Sequence, residues 1–403
     1  MKRLLFVDDE VMVLDGLRRA LHGMRGEWDM NFVNSAAEAL QTLEGGSWDA
    51  IVTDMRMPSM DGAQLLERVK QSYPNVVRIV LSGQSSKEAV LRSIAPAHQF
   101  LSKPCDPAEL KQRLGQAFTM QDLMANASLQ RIVSELHALP SLPSLYAELT
   151  AELGSENSSA LRIEKIIARD VGMAAKILQL ANSAFIGSRT QVSNLARAIA
   201  LIGTETVRTL VLSVHVFSQF DGCAEVTSNL KLLWEHSIRS AGFAQQIAQS
   251  QKAGKEVVDQ SFAAGLLHDI GKAVLLAEMP KQYLKVLAGS DDPSVILARE
   301  LEQWGCTHAE IGAYLMSIWG LPVPLTHAVA FHHFPSKASV STFSPLAAVH
   351  FADAIDSEGT GCAINRDVQF DRSYLEGLGL QEQEPAWRSL HQAMNAKPEE
   401  RCL

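Results

Sequence analysis

Through residue 118, short apolar runs alternate with amphipathic segments. Leu4–Val7, Met30–Val33, Ala50–Thr53, Val77–Leu81 and Gln99–Leu101 are β-rich and nearly continuous in apolar residues, the pattern of strands buried on both faces. Helical periodicity fills the gaps, and five strands separated by helices predict a parallel, doubly wound α/β sheet. In such a sheet ligands sit beyond the carboxyl ends of the strands. The residues standing there are Asp8-Asp9, Asp54, Ser82 and Lys103.

From 107 to 139 the pattern turns helical, with Leu110, Leu114, Ala117, Met124 and Ala127, then, after a phase break, Ile132, Val133, Leu136 and Leu139. Read as one element this is a connecting helix of about 50 Å. Asn126 and Ser128 offer the alternative of two shorter helices, and Pro140 and Pro143 end the pattern. The stretch 144–395 is rich in Ala and Leu with few alternating runs, which predicts an all-α second domain. The expected division is a first domain over 1–118, a connector over 119–139, a second domain over 140–395 and a tail over 396–403.

Composition narrows the class. With 47% hydrophobic and 20% charged residues in a chain of 403, disordered and fibrous classes are excluded. No run reaches the roughly 18 apolar residues of a membrane span, and the apolar start leads straight into Asp8-Asp9-Glu10 rather than a signal-peptide core. No membrane partner and a cytoplasmic location are the expectations. The five cysteines lie far apart without a C-x-x-C pair, which fits reduced thiols. Residues 1–118 hold 14 Lys and Arg against 15 Asp and Glu, so the remainder holds 22 of the chain's 36 basic residues and 30 of its 45 acidic ones. Such an acidic second domain is not expected to wrap a nucleic-acid duplex.

Three carboxylates gathered at strand ends, Asp8, Asp9 and Asp54, cannot all ionise cheaply without a cation, and a hard divalent ion such as Mg²⁺ supplies one. Lys103 adds a complementary charge. A carboxylate beside Mg²⁺ and an ammonium group suits a phosphoryl acceptor, because both cations neutralise the phosphoryl oxygens during in-line transfer, and Asp54 is the natural nucleophile. The runs L-L-F-V-D-D-E, I-V-T-D-M-R-M-P-S-M-D-G, V-L-S-G and F-L-S-K-P closely resemble the receiver domain of bacterial response regulators, over residues 1–118. The resemblance implies that Asp54 accepts phosphate from a sensor histidine kinase. It implies further that Asp8, Asp9 and the Arg56 carbonyl hold Mg²⁺ with Asp54, that Ser82 and Lys103 bind the phosphoryl group, and that Phe100 is the switch aromatic.

In the second domain, Ile167–Leu178 has the spacing of a helix-turn-helix, which would make the chain a DNA-binding regulator. Its second helix offers a single base, Lys176, whereas groove-reading helices need several polar side chains aimed at bases and phosphates. A stronger signal is His268-Asp269 followed by Gly271-Lys272, with His236, His308, His332, His333 and Asp353. Imidazole and carboxylate together suit Fe, Mn or Zn, and an adjacent His-Asp lets the imidazole bind terminally while the carboxylate bridges to a second ion, a way to activate water for phosphoester hydrolysis. Each histidine alone also fits a core or cap role, Thr307-His308-Ala309-Glu310 reading as a capping box.

That set, with L-P-S-L-P, K-I-L-Q-L-A-N-S-A-F-I-G, A-I-A-L-I-G, W-E-H-S, A-G-L-L-H-D-I-G-K, H-A-E-I-G, W-G-L-P and H-H, resembles an HDOD domain over about 129–390. The resemblance implies kinship with HD-type metal phosphohydrolases but an output that works mostly through protein contacts without an established reaction. After His332-His333 the chain continues F-P-S-K, without the D-G-x-G-Y-P pattern of enzymes that cleave cyclic di-GMP. Leu232 stands where some of those enzymes carry a third-metal glutamate. The reading is a response regulator whose phosphorylation at Asp54 controls an output acting on a downstream signalling protein, with homodimerisation through the connector's apolar stripe as a further partner mode. The alternative is a phosphorylation-controlled phosphohydrolase acting on a nucleotide.

Overall fold

The five predicted strands are Lys2–Val7 (β1), Trp28–Val33 (β2), Ala50–Asp54 (β3), Val77–Ser82 (β4) and Gln99–Ser102 (β5), one or two residues longer than their apolar runs. They pair in parallel in the order β2, β1, β3, β4, β5, in register from Leu4 beside Met30 and Ala50 to Leu81 beside Asp54 and Leu101. The structure is a computed structural model, described over residues 1–82, 96–103, 105–123, 126–136, 139–141, 143–155, 158–182, 191–204, 206–207, 211, 218–219, 224–288, 293–338, 340, 342–359 and 370–395. The chain divides into two units, one comprising 1–137 with 179–191 and 315–320, the other the remainder. None of the described helices is long and apolar enough to cross a membrane. Cys105 and Cys306 are free thiols, and the other three cysteines lie outside the described residues.

In the first unit Leu4, Leu5, Phe6, Ile51, Val77, Ile79 and Val80 are wholly buried, as strands covered by helices on both faces require. The covering helices include Val11–Ala20 (α1), Ala36–Glu44 (α2), Gly62–Ser72 (α3) and Pro107–Leu123 (α4). Asp61 and Gln64 close a reciprocal capping box at the start of α3. Gly62 follows because α3 begins against the backbone of Asp54: a Cβ there would run into the Asp54 carbonyl oxygen. The helical pattern beyond 107 is two helices, α4 and Ala127–Glu135 (α5), and Asn126 caps the second by accepting the Leu129 N–H. Met124 lies outside the described residues. A feature that the sequence pattern did not reveal fixes α5. The buried Arg78 guanidinium donates to the carbonyls of Pro74, Val76, Pro96 and Ser134 and meets the His98 ring, so its charge-bearing donors are met inside the core.

Among the described residues, the second unit is helical, with a two-residue pairing of Pro140–Ser141 with Ser218–Gln219 as its strand pairing. Its described helices run Pro143–Gly154 (α6), Ala160–Ile167 (α7), Val171–Ala181 (α8), Leu195–Ile202 (α9), Ala224–Ser250 (α10), Lys255–Leu267 (α11), Ile270–Glu278 (α12) and Pro280–Leu287 (α13). Pro293–Trp304 (α14), His308–Ile318 (α15), Val323–Phe331 (α16), Pro345–Gly359 (α17), Arg372–Gly377 (α18) and Glu384–Asn395 (α19) complete them. The long α10 packs against α11 and α17, and Phe351 of α17 stacks on Trp387 of α19. The helix-turn-helix spacing does produce α7, a short turn and α8. Every residue from Val171 to Leu178 is buried, Lys176 included, so this stretch of α8 presents no side chains for reading a groove. Apolar composition, Gly-Met-Ala-Ala followed by Ile-Leu, is the physical reason.

Candidate functional site

Two centres emerge, one in each unit. At the carboxyl end of the sheet, Asp8 follows β1, Asp54 closes β3 and Lys103 follows β5. The Lys103 ammonium bonds Asp8 Oδ2 at 2.6 Å and contacts Asp54 Oδ1 more closely still. Backbone N–H groups take the remaining positions: Glu10 donates to Asp8 Oδ1 at 3.0 Å and Arg56 to Asp54 Oδ2 at 2.6 Å. Burial, with the Asp54 charge adding to it, holds the Asp8 carboxyl above its usual range despite Lys103. For Lys103, burial opposes the ammonium, and Asp54 and Asp8 outweigh it and raise its pKa. The oxygen-rich, under-neutralised pair fits a hard cation such as Mg²⁺. Asp9 is exposed, Phe100 is buried in β5, and Ser82 ends β4 with its side chain outside the described residues.

The second centre brings together all seven residues singled out in the second domain. His236 projects from α10, His268 and Asp269 occupy the bend between α11 and α12, and His308 opens α15. His332 and His333 follow α16, and Asp353 lies on α17. All seven are only 0–7% exposed. Their ligating atoms fall into two groups, His236, His268 and Asp353 in one and Asp269, His308, His332 and His333 in the other, each within 4.8 Å. Asp269 faces both: its Oδ2 lies 3.3 Å from His268 Nε2 and 4.0 Å from His236 Nε2, and its Oδ1 lies 3.2 Å from His308 Nε2 and 3.7 Å from His332 Nε2. Close helix approach makes this possible, since a Cβ on Gly271 would collide with the His308 carbonyl.

Ring orientation is set from outside the cluster. The Nδ1 atoms of His268 and His332 sit 2.8 and 2.7 Å from the carbonyls of Gly265 and Val329, which can only accept, so each Nδ1 carries the proton and each Nε2 turns inward. His236 Nδ1 meets Asp356 at 2.8 Å and His308 Nδ1 meets Glu300 at 2.8 Å. Inside the cluster, His268 Nε2, His332 Nε2, Asp269 Oδ1 and Asp353 Oδ2 are buried with no well-formed hydrogen bond among the described residues. Sequence reasoning did not assign roles to Glu300, Asp356 or Lys272, whose ammonium bonds Asp269 Oδ2 at 2.9 Å. The available signal was Asp356 one helical turn beyond Asp353. Leu232 is 37% exposed and takes no part.

Charge in this centre is unbalanced. Asp269, Asp353, Asp356 and Glu300 meet Lys272 and Arg239, so protons on imidazoles or a bound cation must make up the difference. Burial opposes ionisation of His268, yet Asp269 and Asp353 hold it well above its ordinary value. His308 behaves likewise, burial being outweighed chiefly by Glu300, and is raised to about 9. Burial pushes His332 down and His333 well down. Asp269 and Asp353, although buried, are held well below the usual carboxylate range, first by the neighbouring His268. Inward lone pairs, a carboxylate shared between two groups and buried acceptors without partners fit a divalent transition metal better than an apolar core.

Comparison with known proteins agrees with this division. The response regulator receiver domain model matches residues 4–115 and the HDOD domain model matches 139–335. An uncharacterised protein of Treponema pallidum is 27% identical over 209 residues, 50% of this chain and 39% of that one. The hydrogenase transcriptional regulatory protein HoxA of Bradyrhizobium diazoefficiens is 34% identical over 122 residues, 30% of this chain and 24% of that one. The chain thus spans well under half the length of these relatives. Among solved structures, the signal receiver domain of an HD domain-containing protein from Pseudomonas fluorescens Pf-5 is 32% identical, covering 30% of this chain and 97% of that one with a TM-score of 0.29. With both models matched in sequence along it and a receiver sheet preceding a helical domain, the chain belongs to the response regulators that join a receiver domain to an HDOD output domain.

Proposed function

We propose that a histidine kinase phosphorylates Asp54 and that this modification controls the HDOD domain, which is built round a divalent-metal centre and acts by contact with a downstream signalling protein. The observation that carries the first half is the Lys103 ammonium joined to both Asp8 and Asp54 at the strand ends. Asp8, Asp9, Asp54 and the Arg56 carbonyl would hold Mg²⁺, which supplies charge neutralisation for the transferred phosphoryl group. Arg56 N–H already orients the acceptor carboxylate. In the output domain, burial of all seven ligands to 7% exposure or less supports a centre that clamps α10, α11, α15, α16 and α17 together rather than one open to substrate.

A second reading, metal-dependent hydrolysis of a nucleotide phosphoester, is favoured by the carboxylate of Asp269 standing between two ligand groups. Intact-mass measurement after treatment with acetyl phosphate and Mg²⁺ should show one added phosphoryl group that Asp54→Asn abolishes. An adduct that persists in that variant overturns the acceptor assignment. Turnover of cyclic nucleotides, dinucleotides or ppGpp-like substrates by metal-loaded protein would replace the contact reading with the hydrolytic one.

A further inference from the structure

The matched HDOD region ends at residue 335, yet the centre continues beyond it. Helix α17 grips both ring nitrogens of one imidazole: Asp353 Oδ1 lies 3.0 Å from His236 Nε2, and Asp356 Oδ2, one turn on, lies 2.8 Å from His236 Nδ1. Asp356 is itself fixed. Arg239 bonds it at 3.1 Å from the same helix as His236, and His391 of α19 bonds its other oxygen at 3.0 Å. On the opposite side, Glu300 of α14 is wholly buried and meets the His308 backbone N–H at 2.8 Å, His308 Nδ1 at 2.8 Å and the Tyr283 hydroxyl at 3.0 Å. The two carboxylates are thus arranged alike: each holds the outer nitrogen of one inward-facing histidine and each is locked by a group from another helix.

An acid at Nδ1 fixes the tautomer and strengthens Nε2 as a donor to a metal, and loss of such a partner typically weakens metal binding about 10–100-fold. Because His236 and His308 belong to different ligand groups, the two acids address different halves of the centre. We propose that Asp356 and Glu300 are positioning residues that make the centre two separately loaded halves. Asp356 orients His236 beside His268 and Asp353, Glu300 orients His308 beside His332 and His333, and Asp269 is shared. The inference rests on the metal-binding part of the functional reading above.

The test uses the full chain, stripped with chelator and titrated with Co²⁺, with bound metal counted by mass spectrometry and each half followed by its visible absorption. Wild type should take two equivalents. Asp356→Leu and Glu300→Leu should each keep one and weaken the other about 10–100-fold, leaving two different residual spectra, while Asp356→Asn and Glu300→Gln, which retain an accepting oxygen, should recover part of the loss. If the leucine variants fail to fold, the amide variants carry the test through their smaller, half-specific weakening. Two equivalents bound at wild-type affinity by all four variants, or equal loss from both halves, overturns the inference and leaves the metal reading standing. A wild-type chain that binds no Co²⁺ overturns both.

Discussion

Gly271→Ala places one methyl group where α12 meets α15, and the structure sets its consequence. The new Cβ would stand 2.8 Å from the His308 carbonyl carbon, closer still to the oxygen, and 3.0 Å from the Gly312 nitrogen, all backbone atoms that cannot rotate aside. Ordinary contact begins at 3.4 Å, so the helices must separate by at least 0.6 Å at the carbon and by more at the oxygen. That movement carries Asp269 from His308, whose Oδ1 to Nε2 separation is 3.2 Å. Metal sites tolerate distance errors of about 0.2 Å, so loading should fall with stability. Overpacking of this kind costs about 1–3 kcal/mol, and backbone neighbours place it at the upper end. Denaturant unfolding monitored by circular dichroism, with metal content on the same samples, measures both. A variant within about 0.5 kcal/mol of wild type with unchanged metal loading would refute the close-approach argument.

Gly62→Ala should push α3 off the Asp54 carbonyl and slow phosphorylation by acetyl phosphate, and an unchanged rate would contradict the packing described there. Arg78→Ala takes the Pro96 carbonyl's guanidinium donor away and leaves the Ser134 carbonyl with His98 Nε2 at 2.9 Å, and should destabilise the receiver by about 2–4 kcal/mol, read as a lowered melting temperature. Lys176 is driven down to about 7 by burial, so between about pH 7 and its ordinary 10.5 the unfolded chain holds the proton and the folded chain does not. Its contribution therefore makes stability rise with pH across that window. Lys176→Met should remove the rise, and an unaltered pH profile would refute the burial effect.

Much of this was legible in the sequence because the receiver is written in continuous apolar runs, and a parallel strand buried on both faces has few alternatives. The strand ends extended past those runs because Lys2, Arg3, Trp28 and Ser102 join the ladder through backbone groups whatever their side chains. The seven residues of the second centre could be named from residue type, the His-Asp pair and the family resemblance. Their outer partners could not, since Glu300 and Asp356 sit on amphipathic helices where an acid reads as a solvated face, and only tertiary packing turns them inward. The same limit hid Arg78, a strand-borne cation met by carbonyls and the His98 ring. Helix-turn-helix spacing predicted the local shape of α7 and α8 correctly, but spacing carries no information about which surface faces solvent.

If phosphorylation of Asp54 controls the HDOD domain, hydrogen exchange of the full chain with and without beryllofluoride must register it in both domains. Bias of a two-state element requires that the phosphorylated receiver favour one arrangement, by about 5.5 kcal/mol to move it from 1:99 to 99:1, which exchange rates register as altered protection. Changes in protection should extend from the strand ends near Asp54 through 107–135 into the helices carrying His236, His268 and Asp353, and should vanish in Asp54→Asn. Changes confined to residues 1–106 would contradict such control.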